Sequence, residues 1–135
     1  DPPAIAADLN LCRQVFLNLF INAQQAMPNG GLIILRARPI SIREVVIEVE
    51  DCGEGIPPDH LDKIFDPFFT SKENGTGLGL SLVHQIMSSH GGRVEVDSTP
   101  GRGSIFRMIF LSYDSLSCDS SVNEWQSLVF AAKNR

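Results

Sequence analysis

Lys72-Glu-Asn-Gly75-Thr-Gly77-Leu-Gly79-Leu80 places three glycines at alternate positions directly before an amphipathic segment, Leu80 to His90. Glycines let the backbone approach a ligand and turn successive N–H groups towards it, and a helix start adds positive dipole character. That chemistry is polyphosphate binding, with Lys72 placed to meet a phosphate charge. Asn18 and Asn22 lie four residues apart on one helical face, with Gln14 and Gln25 near it. Amide oxygens are hard ligands suited to Mg²⁺, although a single Asn on such a face reads first as solvent-facing. Asp51-Cys-Gly53-Glu-Gly55-Ile56-Pro57 follows a strand end, where a carboxylate beside glycines can accept a hydrogen bond from a planar ligand such as an adenine amino group. Taken alone, the same residues make a plain Asp/Gly turn.

Phe65, Phe68 and Phe69 crowd a loop containing Pro67 rather than a periodic element. Loops with that much apolar weight fold over something, and at least one of the three is expected to anchor the loop to the core. A dinucleotide fingerprint fails, because Leu80 and Leu82 stand where its last glycine belongs and no apolar strand precedes the turn. No Gly-Lys-Ser/Thr follows either, which excludes a P-loop. His60, His84 and His90 read as structural or surface residues, His90 at a helix end where a cation suits the dipole. Cys12, Cys52 and Cys118 have neither metal-site spacing nor the look of a disulfide framework, so a reducing, cytoplasmic setting is expected. A net charge of -5 argues against holding nucleic acid by bulk electrostatics. No apolar run reaches the roughly 20 residues that cross a bilayer, though a parent protein could be membrane-anchored.

The elements that must position these groups follow from periodicity. From Asp8 to Met27 apolar residues recur with helical period until Pro28-Asn29-Gly30-Gly31 stops them. Leu32–Arg38 and Glu44–Asp51 read as an antiparallel strand pair, the second alternating Val45/Ile47/Val49 with Val46/Glu48/Glu50, as one buried face requires. Leu61–Phe65 is expected as a short helix. A helix over Leu80–Ser89 then precedes strands over Arg93–Asp97 and Ser104–Leu111, joined by the turn Thr99-Pro-Gly-Arg-Gly103. This order predicts an α/β (α+β) two-layer sandwich, a mixed but mainly antiparallel sheet against about three helices. Residues 1–111 form one domain, and 112–135 a Ser-rich tail, either disordered or carrying a short helix. For that helix, Ser121-Val-Asn-Glu124 has capping-box form, and Trp125, Leu128, Val129 and Ala132 share a face.

Taken in order, the Asn18/Asn22 helix, the Asp51–Pro57 turn, the phenylalanine loop and the glycine run resemble four sequence boxes of one family. These are the asparagine, first glycine, phenylalanine and second glycine boxes of the catalytic, ATP-binding domain of sensor histidine kinases, in the GHKL superfamily. The match spans roughly Asp8 to Leu111, and the short Pro67–Lys72 lid is similar to the nitrogen-regulation type. The resemblance implies the Bergerat-type ATP-binding fold, with ATP and Mg²⁺ as cofactors. By it Asn22 coordinates Mg²⁺, Asn18 and Lys72 act catalytically at the phosphates, and Asp51 receives the adenine amino group. Gly53, Gly55 and Ile56 admit the base, and Gly75, Thr76, Gly77, Leu78, Gly79 and Leu80 form the lid hinge and phosphate cradle. Ser104, in a turn resembling the last glycine box, lies near adenine.

Gln25 and Ala26 depart from many members, which carry Lys or His and a stacking aromatic there. ATPase branches place a water-activating Glu where Asn18 stands, so the amide implies phosphoryl transfer to a protein rather than hydrolysis. The expected acceptor is a histidine on a separate helical dimerisation domain, with a response regulator downstream. The fragment is expected to be monomeric and its parent homodimeric. A serine kinase or ATPase relative, or a non-catalytic nucleotide-sensing module, are the alternatives.

Overall fold

The computed structural model describes residues 5–69 and 79–112, and the backbone of residues 126–132. Helix α1 (Leu9–Ala26) starts where Asp8, extended at φ -68° and ψ 126°, accepts the Leu11 N–H at 2.9 Å. That side-chain cap satisfies one of the donors every helix start leaves unpaired. Val15, Leu19 and Ala23 recur on its core face and are buried, each large apolar side chain contributing about 1.5–3 kcal/mol. Helix α2 (Gly79–Ser89) buries Val83, Ile86 and Met87. It ends as Gly91 turns to φ +71° and the Gly92 N–H bonds back to Met87 O at 2.9 Å.

Strands β1 (Gly31–Pro39), β2 (Glu44–Asp51), β3 (Arg93–Thr99), β4 (Gly103–Leu111) and β5 (Gln126–Ala132) form one sheet in the order β3-β4-β2-β1-β5. The two-layer sandwich is as expected, and every described strand pairing is antiparallel. Ile33, Val49, Phe106, Met108 and Phe110 face the helices and close the core with them. Register aligns Ile33, Asp51, Ser104 and Ser98 in one row across four strands.

The other face differs from a simple solvent face. Val46, Glu48 and Ile109 are buried there too, and an ion-pair ladder runs across the strands on the same face. Arg107 Nη1 meets Asp97 at 2.6 Å and its Nε meets Glu48 at 2.7 Å, while Arg36 reaches Glu48 at 3.5 Å and Glu50 at 2.7 Å. The Asp97 hydrogen bond is the main cause holding the Arg107 guanidinium above its already high range.

Two α-helices stand among the described residues where about three were expected. Leu61–Phe65 is not a helix: after a 3₁₀ turn at Pro58–His60, the Lys63, Asp66 and Phe69 N–H groups each bond the carbonyl three residues back, at 2.8, 2.9 and 3.2 Å. Pro67 has no donor and disfavours helical backbone at Asp66, so the chain proceeds by tight turns. Gln126–Ala132 is a strand, not the short helix its apolar spacing allowed. It pairs from Gly31↔Ala132 to Ala37↔Gln126, satisfying the outer backbone edge of β1. No described helix is long and apolar enough to cross a membrane.

Glu48→Ala removes the one carboxylate shared by Arg36 and Arg107. Both arginines keep a second partner and partial solvent contact, so the expected loss is about 2 kcal/mol, below that of a fully buried pair. Urea unfolding measures it, and a change within about 0.5 kcal/mol would show the ladder to be ornamental to stability.

Candidate functional site

Helix α1 carries two parts of the site on one face. Asn18 and Asn22 are half-buried rather than solvent-facing, whereas Gln14 and Gln25 are exposed. A Cβ added to Gly79 would lie 3.9 Å from Asn18 Oδ1, so α2 begins directly against the Asn18 amide. An 11-residue helix brings partial positive charge to that start.

The C-terminal end of α1 holds the opposite end of the site. Asp51, the last residue of β2, is buried and accepts the Gly53 N–H at 2.9 Å. From there Glu54 N–H donates to Ala26 O at 3.1 Å, Glu54 O accepts from Gly101 N–H at 2.7 Å, and Ile56 N–H donates to Ser98 Oγ at 2.7 Å. The loop is therefore clamped between the end of α1 and the β3–β4 turn. A Cβ on Gly53 would overlap Ala26 O, and Gly55, at φ +76°, leaves no room beside Thr99 O. Ser104 is buried directly across the register from Asp51, and Ile56 and Leu80 pack on the core cluster. Ala26 follows Asn18 by eight residues, which separates the carboxylate end from the Asn18 end by about 12 Å along the helix.

Of the residues singled out in the sequence, Asn18 and Asn22 lie on α1, Gly79 and Leu80 open α2, Asp51 and Ser104 face each other on β2 and β4, and Gly53, Gly55 and Ile56 lie in the loop after β2. Lys72, Gly75, Thr76, Gly77 and Leu78 lie outside the described residues. The chemistry on offer is hydrogen-bond acceptance at one end, and amide oxygens beside a helix N-terminus at the other. Among the described residues no three His, Cys, Asp or Glu side chains gather into a metal cluster, so a hard cation would rely on amide oxygens and its own ligand. The Asn18/Asn22 pair is a donor set of that kind.

The phenylalanine loop divides as its composition suggested. Phe65 packs edge-on to Phe106 with centroids 6.4 Å apart, and Phe69 packs edge-on to His60 at 5.3 Å. Phe68 is 74% exposed and stands at φ 67°, a left-handed conformation costing a non-glycine residue about 1–2 kcal/mol. Burial, with the Asp8 charge second, pushes the Cys12 thiol up, which leaves Cys52 as the exposed thiol among the described cysteines.

Residues 7–114 match the model of the histidine kinase-, DNA gyrase B- and HSP90-like ATPases. The chain is 48% identical over 123 residues to the sensor kinase CckA of Brucella abortus, covering 79% of this chain and 13% of that protein. It is similar in structure to full-length ShkA, solved in complex with AMPPNP: TM-score 0.72, 34% identity, covering 82% of this chain and 23% of ShkA. The catalytic domain of the histidine kinase ThkA is also similar, with TM-score 0.69 and 35% identity over 79% of this chain and 70% of that one. The chain thus spans about an eighth of the CckA relative.

Two contributions were not visible beforehand. Ser98 holds the loop at Ile56, and nothing in Val94-Glu-Val-Asp97-Ser-Thr marks it as more than a strand end. His90, read as a structural or surface residue, ties two elements together: its Nδ1 lies 2.8 Å from Ile86 O and its Nε2 accepts the Asp8 N–H at 3.1 Å. Gly55→Ala places a side chain where the backbone is left-handed and the β3–β4 turn is in the way. It should cost about 2–4 kcal/mol in urea unfolding; a neutral change would show that the loop has another low-energy path.

Proposed function

Because the chain belongs to the family of histidine kinase-, DNA gyrase B- and HSP90-like ATPases, we propose that it binds Mg-ATP and donates the γ-phosphoryl group to a histidine on a separate acceptor domain. The observation that carries this reading is the polarity of the site. A buried carboxylate stands at one end of α1, and half-buried amides beside a helix N-terminus stand at the other. An adenine nucleotide has the same polarity, an amino donor on its base and anionic charge on its phosphates. The likeness to ShkA, solved with AMPPNP, supports the same occupant.

On this reading Asp51 accepts from the adenine amino group, and the Gly53–Ile56 loop lies along the base with Ser104 beside it. Asn22 holds Mg²⁺, which supplies charge neutralisation at the phosphate oxygens. Asn18 and the N-terminus of α2, with Lys72 and the glycines from Gly75 to Gly79, hold the triphosphate. An acceptor histidine nitrogen then forms a bond to the γ-phosphorus as the bond to the β–γ bridging oxygen breaks, and ADP leaves. The protein's part is alignment and charge stabilisation. Asn18 has no basic site with which to take a proton from water, so transfer is favoured over hydrolysis. In the full-length parent the acceptor and a response regulator complete the signalling route.

Calorimetric titration with ATP, with and without Mg²⁺, tests the site. Asp51→Asn should weaken binding about 10–100-fold, the worth of one charge-assisted hydrogen bond. Asn22→Ala should weaken it mainly when Mg²⁺ is present. Unchanged titrations in both variants would dismiss the assignment. For the reaction, radiolabelled ATP is mixed with the chain and a separately produced acceptor hairpin. Acid-labile label on histidine is expected; acid-stable phosphoserine would indicate a serine kinase, and binding without transfer a sensing module.

A further inference from the structure

We propose that Ser98 is a positioning residue that sets the site's preference for a 6-amino over a 6-keto purine, acting through Ser104 and Ile56. This rests on the adenine-nucleotide reading of the site. Ser98 lies at the end of β3, and its hydroxyl makes three contacts: Ile56 N at 2.7 Å, Gly103 O at 3.0 Å and Ser104 Oγ at 2.9 Å. A serine hydroxyl has one proton and two lone pairs.

The three contacts fix where those go. Ile56 N–H can only donate, so it takes one lone pair. Gly103 O can only accept, so it takes the proton. The remaining lone pair faces Ser104 Oγ, and the contact is a hydrogen bond only when Ser104 supplies the proton. One arrangement satisfies all three groups, and it spends the single Ser104 proton away from the base end of the site. Ser104 then presents lone pairs, directly across the register from the Asp51 carboxylate.

The polar end of the site is therefore built from acceptors on two adjacent strands. A 6-amino purine brings N–H donors to it. A 6-keto purine brings an acceptor oxygen, which leaves acceptor against acceptor, the mismatch that polar sites reject most strongly. Ser98 touches no ligand in this scheme. It holds Ile56 in place and keeps the Ser104 hydroxyl turned.

Removing the Ser98 hydroxyl frees the Ser104 proton to rotate towards the base and releases the Ile56 N–H. ATP and GTP, each with Mg²⁺, are titrated calorimetrically against the chain, Ser98→Ala and Ser98→Thr. The native chain should prefer ATP. In Ser98→Ala ATP affinity falls while GTP loses less, so the ATP-to-GTP affinity ratio drops about tenfold or more. Ser98→Thr, which keeps the hydroxyl, should hold the native ratio. Thermal unfolding without nucleotide gives the separate structural cost; where Ser98→Ala does not unfold cooperatively, Ser98→Cys reads the same ratio with a weaker donor and acceptor. Parallel losses for ATP and GTP in the hydroxyl-free variant would reduce Ser98 to a structural tie and overturn the inference. Equal ATP and GTP affinity in the native chain would overturn it while leaving nucleotide binding intact. Failure of the native chain to bind either nucleotide would remove the site reading and this inference with it.

Discussion

The antiparallel register of β2 against β4, with Asp51 opposite Ser104, is the constraint on which the site depends. Side chains alternate between faces along a strand, so a slip of one residue would turn Asp51 out of the helix layer and bring Glu50 or Cys52 in. Such a slip is prevented from both faces. Ile47 and Val49 would leave the core, and on the other side Glu48 would lose Arg107 and Arg36. The ion-pair ladder is remote from the site, yet it helps to specify which residue ends β2 facing the helices.

A buried carboxylate is costly unless its hydrogen bonds are made. Asp51 draws one of them from Gly53, two residues on, which is possible because the chain turns at once after the strand. That turn would unravel on its own. Ala26, Gly101 and Ser98, from three separate elements, each hold one of its peptide groups. The carboxylate is thus fixed by a loop whose own geometry is imposed from outside, a pre-organised acceptor of the kind that recognition requires.

Most of the framework was legible from periodicity and stop signals. The 3.6-residue recurrence from Leu9 to Ala26 and the strand of Glu44–Asp51 need only local information, whereas the Asn18/Asn22 and Asp51–Ile56 groups stood out only through their order along the chain with the phenylalanine loop and the glycine run. What could not be read depends on distant partners. The turns through Leu61–Phe65 answer to the core's demand for Ile64, Phe65 and Phe69 at once. Gln126–Ala132 carries helix-compatible spacing, and its strand state comes from the free edge of β1, which no local rule announces. His90 read as a structural or surface residue, and its partner, the Asp8 N–H, lies 82 residues earlier. Ser98 gained its role from Ile56, 42 residues away.

The same His90 contact explains why the two ends of the site stay in proportion. Asp8, at the start of α1, is tied to His90, just past the end of α2, while Asn18 abuts Gly79 at the start of α2. The helices therefore run antiparallel between two fixed points. From Asp8 to Asn18 is ten residues and from Gly79 to His90 eleven, about 15 and 16 Å of helix, so the spans match. A shift of α2 along α1 would break the His90 tie before it could draw the N-terminus of α2 away from the amide. With Ala26 O holding the Asp51 loop on the same helix, α1 serves as the ruler for the site: the carboxylate, the amides and the neighbouring helix start are all placed by distances along a single rigid element.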